Sequence, residues 1–340
     1  MLPKNGSSSI TFGTPPSIGP KRAGHTDEIA ERVLRWVFRY RRLAEPEDPC
    51  ATVPCERCFD IHRPTVAAFV AAGRPIHFVL PAFPAKSPNP GKVLGTLPDL
   101  AERLAVEFLQ SMCEHIGRFH EPGASITICS DGHVFADLVG VSDLDVSAYG
   151  AELKKVIAAT GGGAIDTYSL DDVFGRQPYD QSRALLDRDW ATPLPELRER
   201  VRRDPTWTTL FNGIHRFVFE DAAALNPDQS RTKLRDAAKD VAYGVIARSN
   251  AWSRIVESAF PGAVRLSIHP QPVHSPKIGL HLVPTRDAWL TPGTARPCTT
   301  ATASRWSNAP KPRASPPRWC GGTTDRATSS PPRHHTGGNP

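Results

Sequence analysis

The sequence predicts an α/β fold: a sheet interrupted by a mostly helical insertion or cap, with a disordered tail at each end. Three observations predict it. Short apolar runs fit for buried strands, 76–80 and 125–129, alternate with helix-period segments in the first half. A charged helical pattern, punctuated at Pro193, Pro205 and Pro227, then fills 178–260. Strand-like runs return at 264–268 and 278–283.

Taken in order, residues 1–24 are Ser-, Gly- and Pro-rich and are expected to be disordered. A helix is expected from near Thr26, with Asp27 and Glu28 favourably placed in its first turn and Ile29, Val33, Trp36, Val37 and Tyr40 as its apolar stripe. Pro64 and Gly73 bracket a short helix through Val66, Phe69 and Val70. The strand at 76–80 feeds a proline-stiffened loop carrying Lys86, Ser87, Asn89 and Lys92. A long helix follows from Pro98 to about Ile116, with Leu100, Leu104, Phe108, Met112 and Ile116 as its expected core stripe. After the strand at 125–129, Asp131-Gly132 reads either as a polar turn or as a hairpin with 134–138 returning. Residues 143–159 read as helix, stopped by three glycines, before a short strand at 164–169. In open α/β sheets ligands bind where loops leave the carboxyl ends of strands. The loops after 80 and 129 are therefore the expected site.

The body, 25–292, and the tail, 293–340, differ in kind. The tail has no Val, Ile, Leu, Phe or Met and cannot build a core. It also holds the whole charge excess of +6, because the first 292 residues carry 34 basic and 34 acidic side chains. A neutral body gives no electrostatic reason to expect a nucleic-acid partner. No apolar run approaches a membrane span and no signal-peptide core precedes residue 25, so a cytoplasmic protein is expected.

Seven unevenly spaced cysteines do not read as a disulfide framework. Cys55-Glu-Arg-Cys58 has zinc-like spacing, and Cys50 could add a third ligand, but no second pair follows. His269 and His274 invite a metal with Cys129 or Asp131, yet no spacing fixes a third donor there. No metal site is expected.

Several blocks carry more than a fold class. His77-Phe-Val-Leu-Pro-Ala-Phe-Pro-Ala-Lys-Ser-Pro-Asn89 and Lys92-Val-Leu-Gly-Thr-Leu-Pro-Asp99 are followed by Ser130-Asp-Gly-His-Val-Phe135 and Arg216-Phe-Val-Phe-Glu-Asp221. Arg248-Ser-Asn-Ala-Trp252, Arg265-Leu-Ser-Ile-His-Pro-Gln271 and Lys277-Ile-Gly279 complete the series. In this order the blocks resemble the pyoverdine/dityrosine biosynthesis family, whose characterised members are isocyanide (isonitrile) synthases. The resemblance implies a Rossmann-like sheet with helices on both faces. It also implies a reaction in secondary metabolism: the α-amine of an amino acid, usually tyrosine or tryptophan, condenses with the C2 ketone of ribulose 5-phosphate. The sugar is cleaved and C2 stays on nitrogen as the isocyanide carbon. No metal or nicotinamide cofactor is implied, and an iron/2-oxoglutarate oxygenase commonly processes the product.

That chemistry needs cations for a phosphate and a carboxylate, and groups that move protons. Lys86, Asp131, His269 and Lys277 are the expected catalytic residues. Ser87, Asn89, Lys92, Gly132, Phe135, Arg216, Arg248 and Arg265 are expected to bind substrate. Glu220 and Asp221 are further proton carriers by residue type. Blander readings stand beside these: Lys86 as a surface lysine, Asp131 as turn chemistry, and Arg216 and Arg248 as partners of nearby carboxylates. Trp36, Trp190, Trp207 and Trp252 read as core.

One departure stands out. Family members continue after Trp-x-Thr-Pro with Trp-His-Gly, whereas Trp289-Leu-Thr-Pro292 is followed here by Gly293-Thr-Ala295. A one-base shift turns codons for Gly-Thr-Ala into Trp-His-Gly, so a frameshift is expected at or just after Pro292. Two competing functions follow: a truncated relic that only binds ligand, and a nucleotide- or methyl-donor-dependent enzyme. The latter lacks a Gly-x-Gly-x-x-Gly after either strand.

Overall fold

The computed structural model describes residues 20–283, with Thr291, Gly293 and the pairs 296–297 and 319–320. Helices α1 (Pro20–Phe38), α2 (Pro49–Thr52), α3 (Glu56–Asp60) and α4 (Arg63–Ala71) precede the first strand. Strand β1 (Ile76–Pro81), helix α5 (Leu100–Gly117), β2 (Ala124–Cys129), α6 (Gly132–Val139), α7 (Asp143–Ala159) and β3 (Ile165–Tyr168) follow. The helical block is α8 (Leu170–Phe174), α9 (Tyr179–Asp189), α10 (Leu194–Arg203), α11 (Pro205–Leu225) and α12 (Arg231–Ala259). Strands β4 (Val264–Ser267) and β5 (Ile278–Gly279) close the main sheet, and β6 (Arg296–Pro297) pairs antiparallel with β7 (Trp319–Cys320).

The five-stranded sheet runs β3-β2-β1-β4-β5, with every pairing parallel. Side-chain alternation explains why helices cover both faces. Phe78, Leu80, Ile126, Ile128, Val264 and Leu266 point into a core shared with α1, α4 and α5. Val79 and Cys129 point the other way, onto Trp252, Ile255 and Val256 of α12. Trp252 is 1% exposed and donates its indole N–H to Cys129 O at 3.2 Å, which ties α12 to the sheet. The helical block therefore covers one face of the sheet through its longest helix.

Three local expectations need correcting. Helix α1 begins at Pro20, six residues before Thr26, because proline is pre-set for a helix's first turn. The buried face of α5 is Ala101, Ala105, Leu109, Met112, Cys113 and Ile116, while Leu100 is 42% exposed. Met112 and Ile116 of the expected stripe are buried as expected. The small side chains at 101 and 105, however, let the face that also holds Leu109 lie closest to the core, leaving Leu100 exposed and Leu104 half-buried. Residues 132–139 form helix α6, not a hairpin's return strand. Gly140 ends it at φ 74°, a left-handed conformation that glycine adopts freely. Trp289 and Pro292, where the frame change is expected, lie outside the described residues.

Candidate active site

The strand order reverses at β1. From β1 the chain moves outward through β2 to β3, and later returns on the other side through β4 to β5. Ligands of open α/β sheets bind in the crevice at such a reversal. Pro81 lies opposite Cys129 and Val79 opposite Arg265, so the segments leaving β1, β2 and β4 emerge side by side. The β1 loop turns through Phe83, buried and at φ 56°, a strained conformation for an aromatic residue. The Ser130 hydroxyl donates to Phe83 O at 3.0 Å and joins the β1 and β2 loops.

Lys86 is not a surface lysine. Its ammonium is buried 2.6 Å from Glu102 and 3.0 Å from Asp99, at the start of α5. Glu102 is fully buried, also accepts from the Asp99 backbone N–H, and receives the Tyr149 hydroxyl at 3.1 Å. Burial pushes the Glu102 carboxyl up to about 7 against the pull of the Lys86 ammonium. The loop is thereby pinned to α5 by a buried charge network.

Asp221 gathers the next three residues. It is buried on α11 and accepts from the Ser87 hydroxyl at 3.1 Å and the Asn89 amide at 3.2 Å. The Lys92 ammonium lies 2.6 Å from the same carboxylate and 4.2 Å from the Phe217 ring centroid. Arg216 and Glu220, in the same sequence block, pair with each other at 2.8 Å on the exposed side of α11. Arg216 is thus not brought to the others. The helical period separates these neighbours in sequence, and Asp221 is the one of them that turns inward.

At the end of β2, one oxygen of Asp131 is buried with no hydrogen-bond partner. Burial pushes its carboxyl up to about 7. Gly132 is packed so closely that a Cβ would lie 2.0 Å from Pro84 O. Its missing side chain brings α6 and Asp131 against the β1 loop. Phe135 packs half-buried in the cluster around Val79, Cys129 and Trp252. His133 sits between Asp143 and Ser147, stacked on Tyr179 with ring centroids 3.4 Å apart.

Beyond β4, Arg265 reaches the Ser253 hydroxyl at 2.6 Å and Glu257 at 2.9 Å, and Lys277 donates to the same Ser253 hydroxyl at 3.1 Å. Burial, and then the Arg265 charge, hold the Lys277 ammonium below the usual lysine range. His269 is solvent-accessible, yet the protein crowded around it, with Arg42 and Lys277, pushes its imidazole down to about 4. It is neutral at physiological pH, with one ring nitrogen free to accept a hydrogen bond. Arg248 is committed elsewhere: it bonds Asp137, Asp187 and Val134 O, joining α12 to α6 and α9.

The arrangement therefore supplies a neutral imidazole, a carboxyl poised near neutrality, and a lysine and arginine converging on one hydroxyl. Residue type alone did not select Glu102, Tyr149 or Ser253. The Asp99–Glu102 spacing of a capping box was the available signal for Glu102. The metal expectation also changes. His274 meets neither Cys129 nor Asp131 as a ligand set; its donor atom and the sulfurs of Cys50, Cys55 and Cys58 lie within 4.8 Å of one another.

Comparison with known proteins identifies the family. Residues 66–309 match the family model described as pyoverdine/dityrosine biosynthesis protein. The chain is 44% identical over 282 residues to L-tryptophan isonitrile synthase AmbI1 of Fischerella ambigua, covering 83% of this chain and 84% of that protein. It is 46% identical over 272 residues to an L-tyrosine isonitrile synthase of Pseudomonas aeruginosa, covering 78% and 83% respectively. The crystal structure of PvcA from Pseudomonas aeruginosa superposes with a TM-score of 0.74 at 45% identity, covering 78% of this chain and 88% of that one. With this sequence likeness, and a sheet that carries the shared blocks at its point of reversal, the chain belongs to the pyoverdine/dityrosine biosynthesis protein family.

Proposed function

We propose that the chain is an isocyanide synthase that converts the α-amine of L-tyrosine or L-tryptophan to an isocyanide, with ribulose 5-phosphate as carbon donor, in secondary metabolism. The observation that carries this reading is the convergence of Arg265 and Lys277 on Ser253 beside the strand ends that deliver Asp131 and His269. Two cations suit a dianionic phosphate. A carboxyl near neutrality and a neutral imidazole suit the proton transfers of imine formation and carbon–carbon cleavage. In this reading Arg265 and Lys277 hold the sugar phosphate, and Asp131 and His269 move protons. The β1 loop, held by Lys86 and Asp221, forms the floor beneath them. The relatives named for tryptophan and tyrosine support both amino acids.

We place the enzyme in the cytoplasm, upstream of an iron/2-oxoglutarate oxygenase that consumes the isocyanide. Cys50, Cys55, Cys58, Cys113 and Cys129 are free thiols, and among the described residues no helix is long and apolar enough to cross a membrane.

The test is incubation of purified protein with L-tyrosine or L-tryptophan and ribulose 5-phosphate. The expected product is heavier than the amino acid by one carbon less two hydrogens. Absence of that product with either amino acid, from the chain as given and from one with Trp-His-Gly restored after Pro292, overturns the reading. The second chain is needed because the Ser87 N–H donates to Gly293 O at 3.0 Å, so the proposed frame break adjoins the β1 loop. Ligand binding without turnover by the chain as given, with turnover by the restored chain, identifies the former as a binding relic.

A further inference from the structure

Away from the strand ends, the segment before α4 meets the loop between β4 and β5. Cys50 lies on α2, Cys55 caps α3, Cys58 lies within α3, and His274 arrives 219 positions after Cys55. Their four donor atoms all fall within 4.8 Å of one another. Zinc bonds of about 2.3 Å to sulfur and 2.0 Å to nitrogen, arranged tetrahedrally, put two sulfurs about 3.8 Å apart and a sulfur and a nitrogen about 3.5 Å apart. The Cys55 and Cys58 sulfurs are 3.8 Å apart, and Cys55 Sγ is 3.1 Å from His274 Nε2. The first separation matches, and the second is within the reach of a small ring movement.

The surroundings are built for the same geometry. The Cys58 N–H donates to Cys55 O at 2.9 Å and the Cys50 N–H to Asp48 Oδ1 at 2.7 Å, so the backbone that carries the three thiols is itself pinned. Arg41 donates to Cys50 O and places a positive charge beside the thiols. His274 holds a left-handed backbone, φ 64°, unusual for a residue with a side chain, as it brings its ring to the sulfurs. Just before this point in both segments, Ala44 N–H donates to Gln271 O at 2.9 Å and Val273 N–H to Glu45 at 3.2 Å. The two segments are therefore already in register.

We propose that Cys50, Cys55, Cys58 and His274 bind one Zn2+ ion as a closed structural site that fastens the β4–β5 loop to the α2–α3 segment. Three thiolates and an imidazole select zinc over the harder divalent cations, and four protein ligands leave no open position for chemistry. The ion stabilises the fold by joining segments remote in sequence, at the cost of releasing the thiol protons. It also immobilises the loop that carries His269 and Lys277.

The test uses the full chain produced in zinc-supplemented medium, desalted, and analysed for metal by plasma mass spectrometry. One zinc per chain is expected, with its loss in the Cys55→Ser/Cys58→Ser double variant. Because that variant could fail to fold, the wild-type protein is also stripped with a chelator and reloaded with Co2+. The expected signature is the visible absorption and thiolate-to-cobalt charge transfer of a tetrahedral thiolate site, weakened or shifted in His274→Ala. A wild-type chain that carries no zinc and develops no such bands overturns the proposal. So does a chain whose zinc content survives the double variant. A metal-free chain two hydrogens below the reduced mass, with the disulfide mapped by peptide digestion to Cys50, Cys55 or Cys58, also overturns it.

Discussion

Asp221 of α11 and Lys92 of the β1 loop form an ion pair at 2.6 Å, the Asp221 side chain 8% exposed and that of Lys92 18%. This contact joins the helical block to the sheet's site loop, and Ser87 and Asn89 share the same carboxylate. Asp221→Asn keeps the shape but removes the charge that Lys92 faces. The expected effect is a loss of about 2–3 kcal/mol in unfolding free energy, by analogy with hydrogen bonds to charged groups. Isocyanide formation should fall with it. An unchanged urea midpoint would show that the loop is held by other means.

Asp131 offers a pH test. Its folded pKa of about 7 lies above the ordinary 3.8, so the folded chain keeps a proton that the unfolded chain loses. Its contribution to stability is full below about 3.8 and is lost as pH rises through about 7. Asp131→Asn should remove that fall, so the difference from wild type grows in the variant's favour between these values. Turnover should drop by about 100- to 10,000-fold, the usual range for a general acid or base. Parallel stability curves across this window would place the Asp131 carboxyl at an ordinary pKa.

Gly132→Ala tests packing rather than charge. The added methyl would lie 2.0 Å from Pro84 O and 2.6 Å from Val146 Cγ1, and a backbone oxygen cannot step aside without moving the site loop. A destabilisation of about 1–3 kcal/mol is expected from overpacking. A melting temperature equal to wild type would mean that the loop and α6 separate easily.

Two arginines from equally suggestive blocks should behave differently. Arg216→Ala removes an exposed pair with Glu220 and should change stability by less than about 0.5 kcal/mol, with activity intact. Arg248→Met leaves Asp187 without this partner, while Asp137 keeps Arg183 at 3.5 Å; with both carboxylates partly solvated it should cost about 1–2 kcal/mol. Denaturant titration of both decides it. A large activity loss in Arg216→Ala at unchanged stability would put that residue back at the site.

Arg265→Gln should leave the fold in place and raise KM for ribulose 5-phosphate by about 10- to 100-fold, the worth of one or two charge-assisted hydrogen bonds. Steady-state kinetics with the sugar phosphate varied would read it. A fall in kcat alone would assign Arg265 a different task.

Chain order and side-chain pattern made most of the fold legible. The runs at 76–80, 125–129 and 264–268 became β1, β2 and β4, whereas 278–283 is strand only at Ile278–Gly279. Pro193 and Pro205 became helix starts, whereas Pro227 lies in the turn before α12, and 143–159 became α7 at those limits. Local pattern could not distinguish a turn from a helix at Asp131-Gly132, because both begin with the same residues. It located only the second half of the buried face of α5, at Met112 and Ile116; in the first half Ala101 and Ala105 pack inward in place of Leu100 and Leu104.

By itself, the sequence determined the family, the α/β class and the loops of the candidate site, because these depend on periodicity, proline and glycine placement, and residue type along the chain. Only the tertiary structure decided which charges meet. It turned Lys86 onto Glu102 and Lys92 onto Asp221, left Arg216 outside, and brought His274 to three cysteines near the other end of the body. Distances between side chains remote in sequence follow from how helices pack on the sheet, and no local spacing encodes them.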